Sequence, residues 1–199
     1  MRVLPVLVVA LSYFLGSVPF GVILGSIWAG VDVRKFGSGN IGATNVLRTL
    51  GFPFAFATFL LDAAKGALPV YLARRAGAGP GMLALAGIAA VVGHNYPAFI
   101  RFRGGKGIAT SWGFILSAMP QVGLVFAVVW IITVVLTRFA SLGSILGAAA
   151  TPLACIILHL PWQYTVACAI LAVLAGVRHK SNIQRLRSGT ENKFSLKTK

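Results

Sequence analysis

The stretch Ile108-Ala109-Thr110-Ser111-Trp112-Gly113-Phe114-Ile115-Leu116-Ser117-Ala118-Met119, closed by Pro120, decides the topology of this chain. It is apolar, yet as a helix it reaches only about 18 Å, well short of the roughly 30 Å hydrocarbon core of a bilayer. Six longer apolar runs surround it: Leu4–Trp28, Phe52–Leu72, Met82–Ile100, Gln121–Thr137, Leu142–Leu160 and Trp162–Val177. If Ile108–Thr137 is one span, everything after it changes sides. If Ile108–Met119 and Gln121–Thr137 are two, it does not.

The basic residues choose between these. Arg34, Lys35, Arg48, Arg101, Arg103 and Lys106 fall in two Gly-rich loops, while Arg2, Arg74 and Arg75 fall at opposite ends of the runs. Lys and Arg collect on the cytoplasmic side of a membrane protein. The tail, with Arg178, Lys180, Arg185, Arg187, Lys193, Lys197 and Lys199, joins the two loops on that side only if Ile108–Met119 spans separately. The expectation is an all-α polytopic integral membrane protein of about seven transmembrane helices. The fourth is short or re-entrant, the N-terminus is out and the C-terminus is in. The competing count is five spans, with Leu142–Val177 as one broken span.

Composition agrees. Of 199 residues 57% are hydrophobic and 11% charged, and mean hydropathy is +0.86. A soluble domain averages about 25% charged residues. No stretch is polar enough for a separate soluble domain, so residues 1–199 read as one integral membrane domain. A net charge of +15 in a soluble protein would suggest nucleic acid. Here it reads as loops facing anionic membrane lipid and anionic substrates, with no nucleic-acid partner. Leu4–Trp28 is too long for a signal-peptide core and reads as the first transmembrane helix. Cys155 and Cys168 lie inside apolar runs, without metal-ligand spacing. Gly21-x-x-x-Gly25 and Gly143-x-x-x-Gly147 are small-residue helix contacts.

Three polar constellations carry chemistry. The first runs Arg34-Lys35-Phe36-Gly37-Ser38-Gly39-Asn40-Ile41-Gly42-Ala43-Thr44-Asn45 and on to Arg48. Glycines let successive N–H groups converge on one anion, and an Arg fork binds phosphate bidentately. A flexible turn before a helix is the plainer alternative, but it does not need this density of Gly and donors. The second follows His94-Asn95-Tyr96-Pro97 and reads Arg101-Phe102-Arg103-Gly104-Gly105-Lys106-Gly107. Positive-inside anchoring accounts for the two arginines. Lys106 between glycines is better explained by a phosphate ligand, although the loop lacks the P-loop spacing. The third is His179, Lys180, Ser181, Asn182, Arg185, Arg187, Gly189, Thr190 and Glu191, for which a polybasic segment on lipid is the alternative. Ser141 and Ser144 close a fourth turn. Asp62 and Lys65, at i and i+3 inside an apolar run, share a helix face and can pair. Such a pair marks a functional site or fixes helix packing.

There is no Gly-x-Ser-x-Gly elbow, no His-x4-Asp pair, and no metal-type cluster. Catalysis then rests on oriented N–H groups and cations, or on a base supplied by the substrate. A membrane carrier or channel for phosphate or organophosphate anions would explain the basic loops. It would not explain cations concentrated on one face, or the lack of an internal repeat. A non-catalytic scaffold would explain the tail but not the Gly-rich loops.

The segments Gly37–Asn45 with Arg48, Gly93-His94-Asn95-Tyr96-Pro97 leading to Gly104-Gly105-Lys106-Gly107, and His179-Lys180-Ser181-Asn182-Ile183 with Gly189-Thr190-Glu191 resemble, in this order, the bacterial acyl-phosphate:glycerol-3-phosphate acyltransferase family. The resemblance covers essentially the whole chain. It implies acyl transfer from acyl phosphate to the 1-hydroxyl of glycerol 3-phosphate, giving lysophosphatidic acid and inorganic phosphate. No metal or cofactor is implied. The implied place is the cytoplasmic face of the bacterial inner membrane, at the first acylation of phospholipid synthesis, with the soluble enzyme that makes acyl phosphate as a partner. Ser38, Gly39, Asn40 and Lys106 are then expected at the reacting group. Thr44, Asn45, Arg48, Gly104, Gly105, Ser144, His179 and Asn182 are expected to bind substrate.

Overall fold

The computed structural model describes residues 3–195, so Arg2, Lys197 and Lys199 lie outside the described residues. Among the described residues all regular structure is helical. Helix α1 (Val3–Gly16) leads into α2 (Phe20–Ala29), followed by α3 (Ala43–Leu50), α4 (Phe52–Arg75), α5 (Pro80–Asn95), α6 (Ile108–Ala118), α7 (Pro120–Thr137), α8 (Ala140–Ile157), α9 (Trp162–Arg178) and α10 (Lys180–Arg187). Five apolar helical stretches are long enough to cross a bilayer: Val6–Ala29, Phe52–Arg75, Pro80–Ile100, Pro120–Thr137 and Ala140–Ile157. A sixth is reached if α9 and α10, bent by 61°, are counted together. Leu11, Leu72, Leu136 and Val173 are each more than half exposed on these helices, as lipid-facing residues are. This is a multi-pass membrane protein. The Leu142–Val177 region forms two helices, α8 and α9, packed side by side.

The expected single first helix is broken at Ser17-Val18-Pro19. Pro19 has no N–H to donate. The Ser17 N–H and hydroxyl both turn back to the Tyr13 carbonyl, at 2.9 Å each. The carbonyl of Val18 accepts from Lys65 Nζ of α4 at 2.8 Å. Lys65 also lies 2.8 Å from Asp62 Oδ1 and 5.6 Å from the Phe20 ring centroid. His94 Nδ1 of α5 stands 3.6 Å from the same Asp62 oxygen. All three side chains are buried. The intramembrane pair therefore ties α4 to the break in the first span and to α5.

The Gly21 and Gly25 pair seats a loop rather than a helix. A Cβ on Gly21 would lie 2.0 Å from the Ile41 carbonyl oxygen, and one on Gly25 2.7 Å from that of Val31. Gly143 and Gly147 do face a helix, at Trp130 and Phe126 of α7.

Helix α6 is short because it starts deep in the bundle. Its Trp112 stacks on Phe59 of α4 at 5.5 Å, and Ser117 Oγ donates to the Ala67 carbonyl at 3.3 Å. Arg74 Nη2 donates to the Ala118 carbonyl at 2.7 Å. These contacts pair the 11 residues of α6 with α4 from Phe59 to Arg74. Gly66 and Gly113 allow the crossing: a Cβ on either would lie within about 2.0 Å of a carbonyl oxygen on the other helix. On that flank the first two turns of α4 have no helix beside them. The space left open is a cavity.

Candidate active site

The first Gly-rich loop is shaped from inside by one amide. Asn45 Nδ2 donates to the carbonyls of Val33, Phe36 and Asn40, at 2.8, 3.2 and 2.8 Å. Asn45 Oδ1 accepts from the Ser38 N–H at 2.8 Å and from Ser38 Oγ at 3.2 Å. Gly37 and Gly39 take left-handed backbone, with φ of 58° and 69°. A Cβ on Gly37 would also lie 2.4 Å from Asn45 Oδ1, so a side chain there would break the brace. Asn40 Oδ1 accepts from the Gly42 N–H at 2.9 Å. This leads into α3, which carries Thr44 and Arg48. The amides of Ala43 and Thr44 belong to the first turn of α3, where helix N–H groups lack intrahelical acceptors.

The second loop descends into the bundle. The Gly105 N–H donates to the His94 carbonyl at 3.0 Å. Arg178 clamps the loop from the other side, with Nε on the Gly105 carbonyl at 3.0 Å and Nη2 on that of Gly104 at 2.9 Å. A Cβ on Gly104 would stand 2.1 Å from the His94 carbonyl oxygen, and one on Gly105 2.0 Å from His94 Nε2. Both glycines thus serve the close seat of the loop on α5. Gly105→Ala is expected to cost about 1–3 kcal/mol through overpacking and to displace Lys106. A steady-state assay should find kcat/KM reduced at least as much as stability, which thermal unfolding in detergent would measure.

That seat aims Lys106 at Asn182. Lys106 Nζ donates to Asn182 Oδ1 at 2.5 Å, and Asn182 Nδ2 donates to Glu191 Oε1 at 2.6 Å. Glu191 also accepts from Ser141 Oγ and Arg185 Nε, both at 2.8 Å. Burial pushes the Glu191 carboxyl up, but the hydrogen bonds from Asn182, Ser141 and Arg185 outweigh it and hold the group below its usual range. Burial, with Arg185, Arg48 and Arg178 nearby, lowers the Lys106 ammonium to about 8. One carboxylate among four cations leaves the site short of negative charge. His179 places Nδ1 2.8 Å from the Ala175 carbonyl. A carbonyl only accepts, so Nδ1 carries the proton. Ser144 Oγ donates to the Ala140 carbonyl at 2.8 Å and lies 3.3 Å from Trp130 Nε1.

These groups meet in a cavity of about 470 Å³. Ser38, Asn40, Thr44, Asn45, Arg48, Lys106, Ser144, His179 and Asn182 all line it. Gly39, Gly104 and Gly105 do not; they shape the loops that present the others. A second, polar cavity of about 510 Å³ shares Ser38, Asn40, Lys106 and Asn192, and adds Arg178, Ser181 and Arg185. The first cavity continues between α4 and α7, past Phe52, Phe56, Phe59, Trp112 and Trp130. One end is therefore cationic and the other aromatic. Asp62 and His94 also line it. Among the described residues no three His, Cys, Asp or Glu side chains group as a metal site would require.

Glu191 and Ser141 belong to this network, although neither is among the expected binding residues. Glu191 is the one acidic residue in a basic tail, which was the available signal. Nothing distinguishes Phe56 or Trp130 in the sequence from a lipid-facing aromatic.

The family model for glycerol-3-phosphate acyltransferase matches residues 6–189. The chain belongs to this family. Relatives named glycerol-3-phosphate acyltransferase include one from Thermotoga petrophila, 42% identical over 94% of each chain. Another, from Jannaschia sp., is 47% identical over 92% of this chain and 90% of its own. Two crystal structures of PlsY (YgiH), an integral membrane glycerol 3-phosphate acyltransferase, share the fold at 36% identity over 96% of both chains. The glycerol 3-phosphate form superposes with a TM-score of 0.92 and the lysophosphatidic acid form with 0.90. All three motif segments of this acyltransferase-family chain contribute residues to the cavity described above.

Proposed function

We propose that this protein acylates the 1-hydroxyl of glycerol 3-phosphate, with acyl phosphate as donor, giving lysophosphatidic acid and inorganic phosphate for phospholipid synthesis. The observation that carries this reading is a single cavity with a cationic end and an aromatic end. Glycerol 3-phosphate and the donor's phosphate are both anions, and the donor's chain is apolar. The chain lies between α4 and α7, along Phe52, Phe56 and Phe59. The acyl phosphate carbonyl then stands where the two ends meet, beside Ser38, Gly39 and Asn40 of the first loop. Arg48, Lys106, His179 and Asn182 hold glycerol 3-phosphate, and Thr44 and Ser144 complete the pocket wall.

The transfer is direct. The glycerol 3-phosphate oxygen attacks the acyl carbon, the bond from that carbon to the phosphate oxygen breaks, and the leaving phosphate takes the hydroxyl proton. Ser38 Oγ is bonded to Asn45 Oδ1 at 3.2 Å, an amide oxygen too weakly basic to activate a nucleophile. The mixed anhydride needs no further activation, and oriented donors stabilise the charge that develops. Purified protein in micelles is expected to make lysophosphatidic acid from acyl phosphate and labelled glycerol 3-phosphate. It should make none from acyl-CoA, whose thioester brings no phosphate to the carbonyl. Efficient use of acyl-CoA would overturn the donor assignment.

Residues 1–199 act as one domain in the bacterial inner membrane. Seven spans, counting α6 and α9 separately, put the N-terminus out and the site and C-terminus on the cytoplasmic side. Support comes from the gathering of the loops, the start of α6 and the tail around one cavity, and from their basic residues. In a background lacking Cys155 and Cys168, cysteines at Ser38 and Ser188, both exposed, are expected to label from the cytoplasm. A cysteine at exposed Gly79 should label from outside. Outside labelling at Ser188 would contradict the seven-span arrangement. The soluble enzyme that makes acyl phosphate is the partner this reading implies.

A further inference from the structure

The family match ends at Gly189, yet the chain returns to the cavity beyond it. Phe194 is tied in from three directions. Its N–H donates to the Arg138 carbonyl at 2.6 Å, at the turn between α7 and α8. Its ring meets Trp130 of α7 edge-on, with centroids 6.1 Å apart and planes at 84°. It also packs against the cluster of Val33, Val46, Leu47 and Ala55, from the first loop, α3 and α4. One side chain therefore touches both walls of the cavity, and it lines the cavity together with Asn192 and Glu191. It links the chain segment that carries Glu191 to the aromatic end at Trp130.

This position matters for the chemistry proposed above, on which the inference rests. Acyl phosphate reacts with water as well as with an alcohol. Groups that stabilise attack on its carbonyl help both nucleophiles, unless water is kept away. The polar cavity lies beside exposed Ser38 and Ser181, so water has a route in from the loop end. We propose that Phe194 is a specificity-determining residue: its ring covers the junction of the polar and aromatic ends, where the acyl carbon stands, against that water and directs the acyl group to glycerol 3-phosphate. In the competing reaction the oxygen of water attacks the acyl carbon. The bond from that carbon to the phosphate oxygen breaks, and fatty acid and inorganic phosphate leave, the phosphate carrying a proton of the water.

The test is the ratio of fatty acid to lysophosphatidic acid formed by the full-length protein in micelles, from acyl phosphate and labelled glycerol 3-phosphate, after subtracting a blank without enzyme. The ratio does not depend on how much of a variant is folded. Phe194→Ala is expected to raise it about tenfold, equivalent to about 1.4 kcal/mol of discrimination, and Phe194→Leu should fall between Ala and the unaltered chain. If the Ala variant gives no turnover, the Leu variant alone decides by the same ratio. A ratio unchanged from the unaltered chain in the variants that turn over would overturn the proposal. Failure of the unaltered chain to make lysophosphatidic acid would instead strike the proposed function.

Discussion

Lys65→Met is expected to destabilise the protein by about 3–5 kcal/mol, the usual cost of removing one partner from a buried ion pair. Both side chains are 2% exposed. Without Lys65 the Asp62 carboxylate loses its ion-pair partner, and the Val18 carbonyl at the break of the first span loses its donor. The check is thermal unfolding in detergent, or the rate of proteolysis. The double variant Asp62→Asn, Lys65→Met should recover part of the loss, because no uncompensated charge then remains buried. A single variant as stable as the unaltered chain would show that the pair does not hold the first span to α4.

Lys106→Ala is expected to lower kcat/KM for glycerol 3-phosphate roughly tenfold to a hundredfold, from the loss of one charge-assisted contact of about 1.5–3 kcal/mol. Folding should survive, since Asn182 keeps its bond to Glu191 and the loop stays clamped by Arg178. The same residue sets a pH limit. A lysine is charged below its pKa, and only the charged form attracts phosphate. With its pKa lowered to about 8 by burial and neighbouring arginines, kcat/KM should fall as pH rises through about 8. An ordinary lysine would hold its charge past pH 10. The kcat limb should lie higher, because bound phosphate favours the charged form. Lys106→Arg should abolish the alkaline fall while losing rate through changed geometry. Near-normal turnover in Lys106→Ala would remove this residue from the site.

Much of this was readable from the chain, for identifiable reasons. Glycine at 37 and 39 announces left-handed backbone, and lysine between glycines at 105 and 107 a cation set on bare backbone, because few other sequences supply both. The shortness of α6 is visible as a count of residues between Gly107 and Pro120. Its starting depth is not, because that depends on Gly66 meeting Thr110 and Gly113 meeting Ala63 across two helices distant in sequence. Asn45 reads as a donor for substrate in a string of polar residues. In space its amide is engaged by four residues of its own loop, a partner choice that spacing does not reveal. The aromatic end of the cavity was hidden for a related reason. Phe52, Phe56 and Phe59 repeat at helical intervals, as any lipid-facing stripe would, and only the truncated flank of α6 turns them toward a cavity.

In the proposed reaction the acyl group passes directly between two phosphate-bearing molecules held in one cavity. Rapid mixing of the purified protein with acyl phosphate alone, followed by glycerol 3-phosphate, tests it most directly. No burst of phosphate is expected before the acceptor arrives; phosphate and lysophosphatidic acid should then appear one for one. A burst equal to the amount of enzyme, with the acyl group recovered on Ser38, would contradict it.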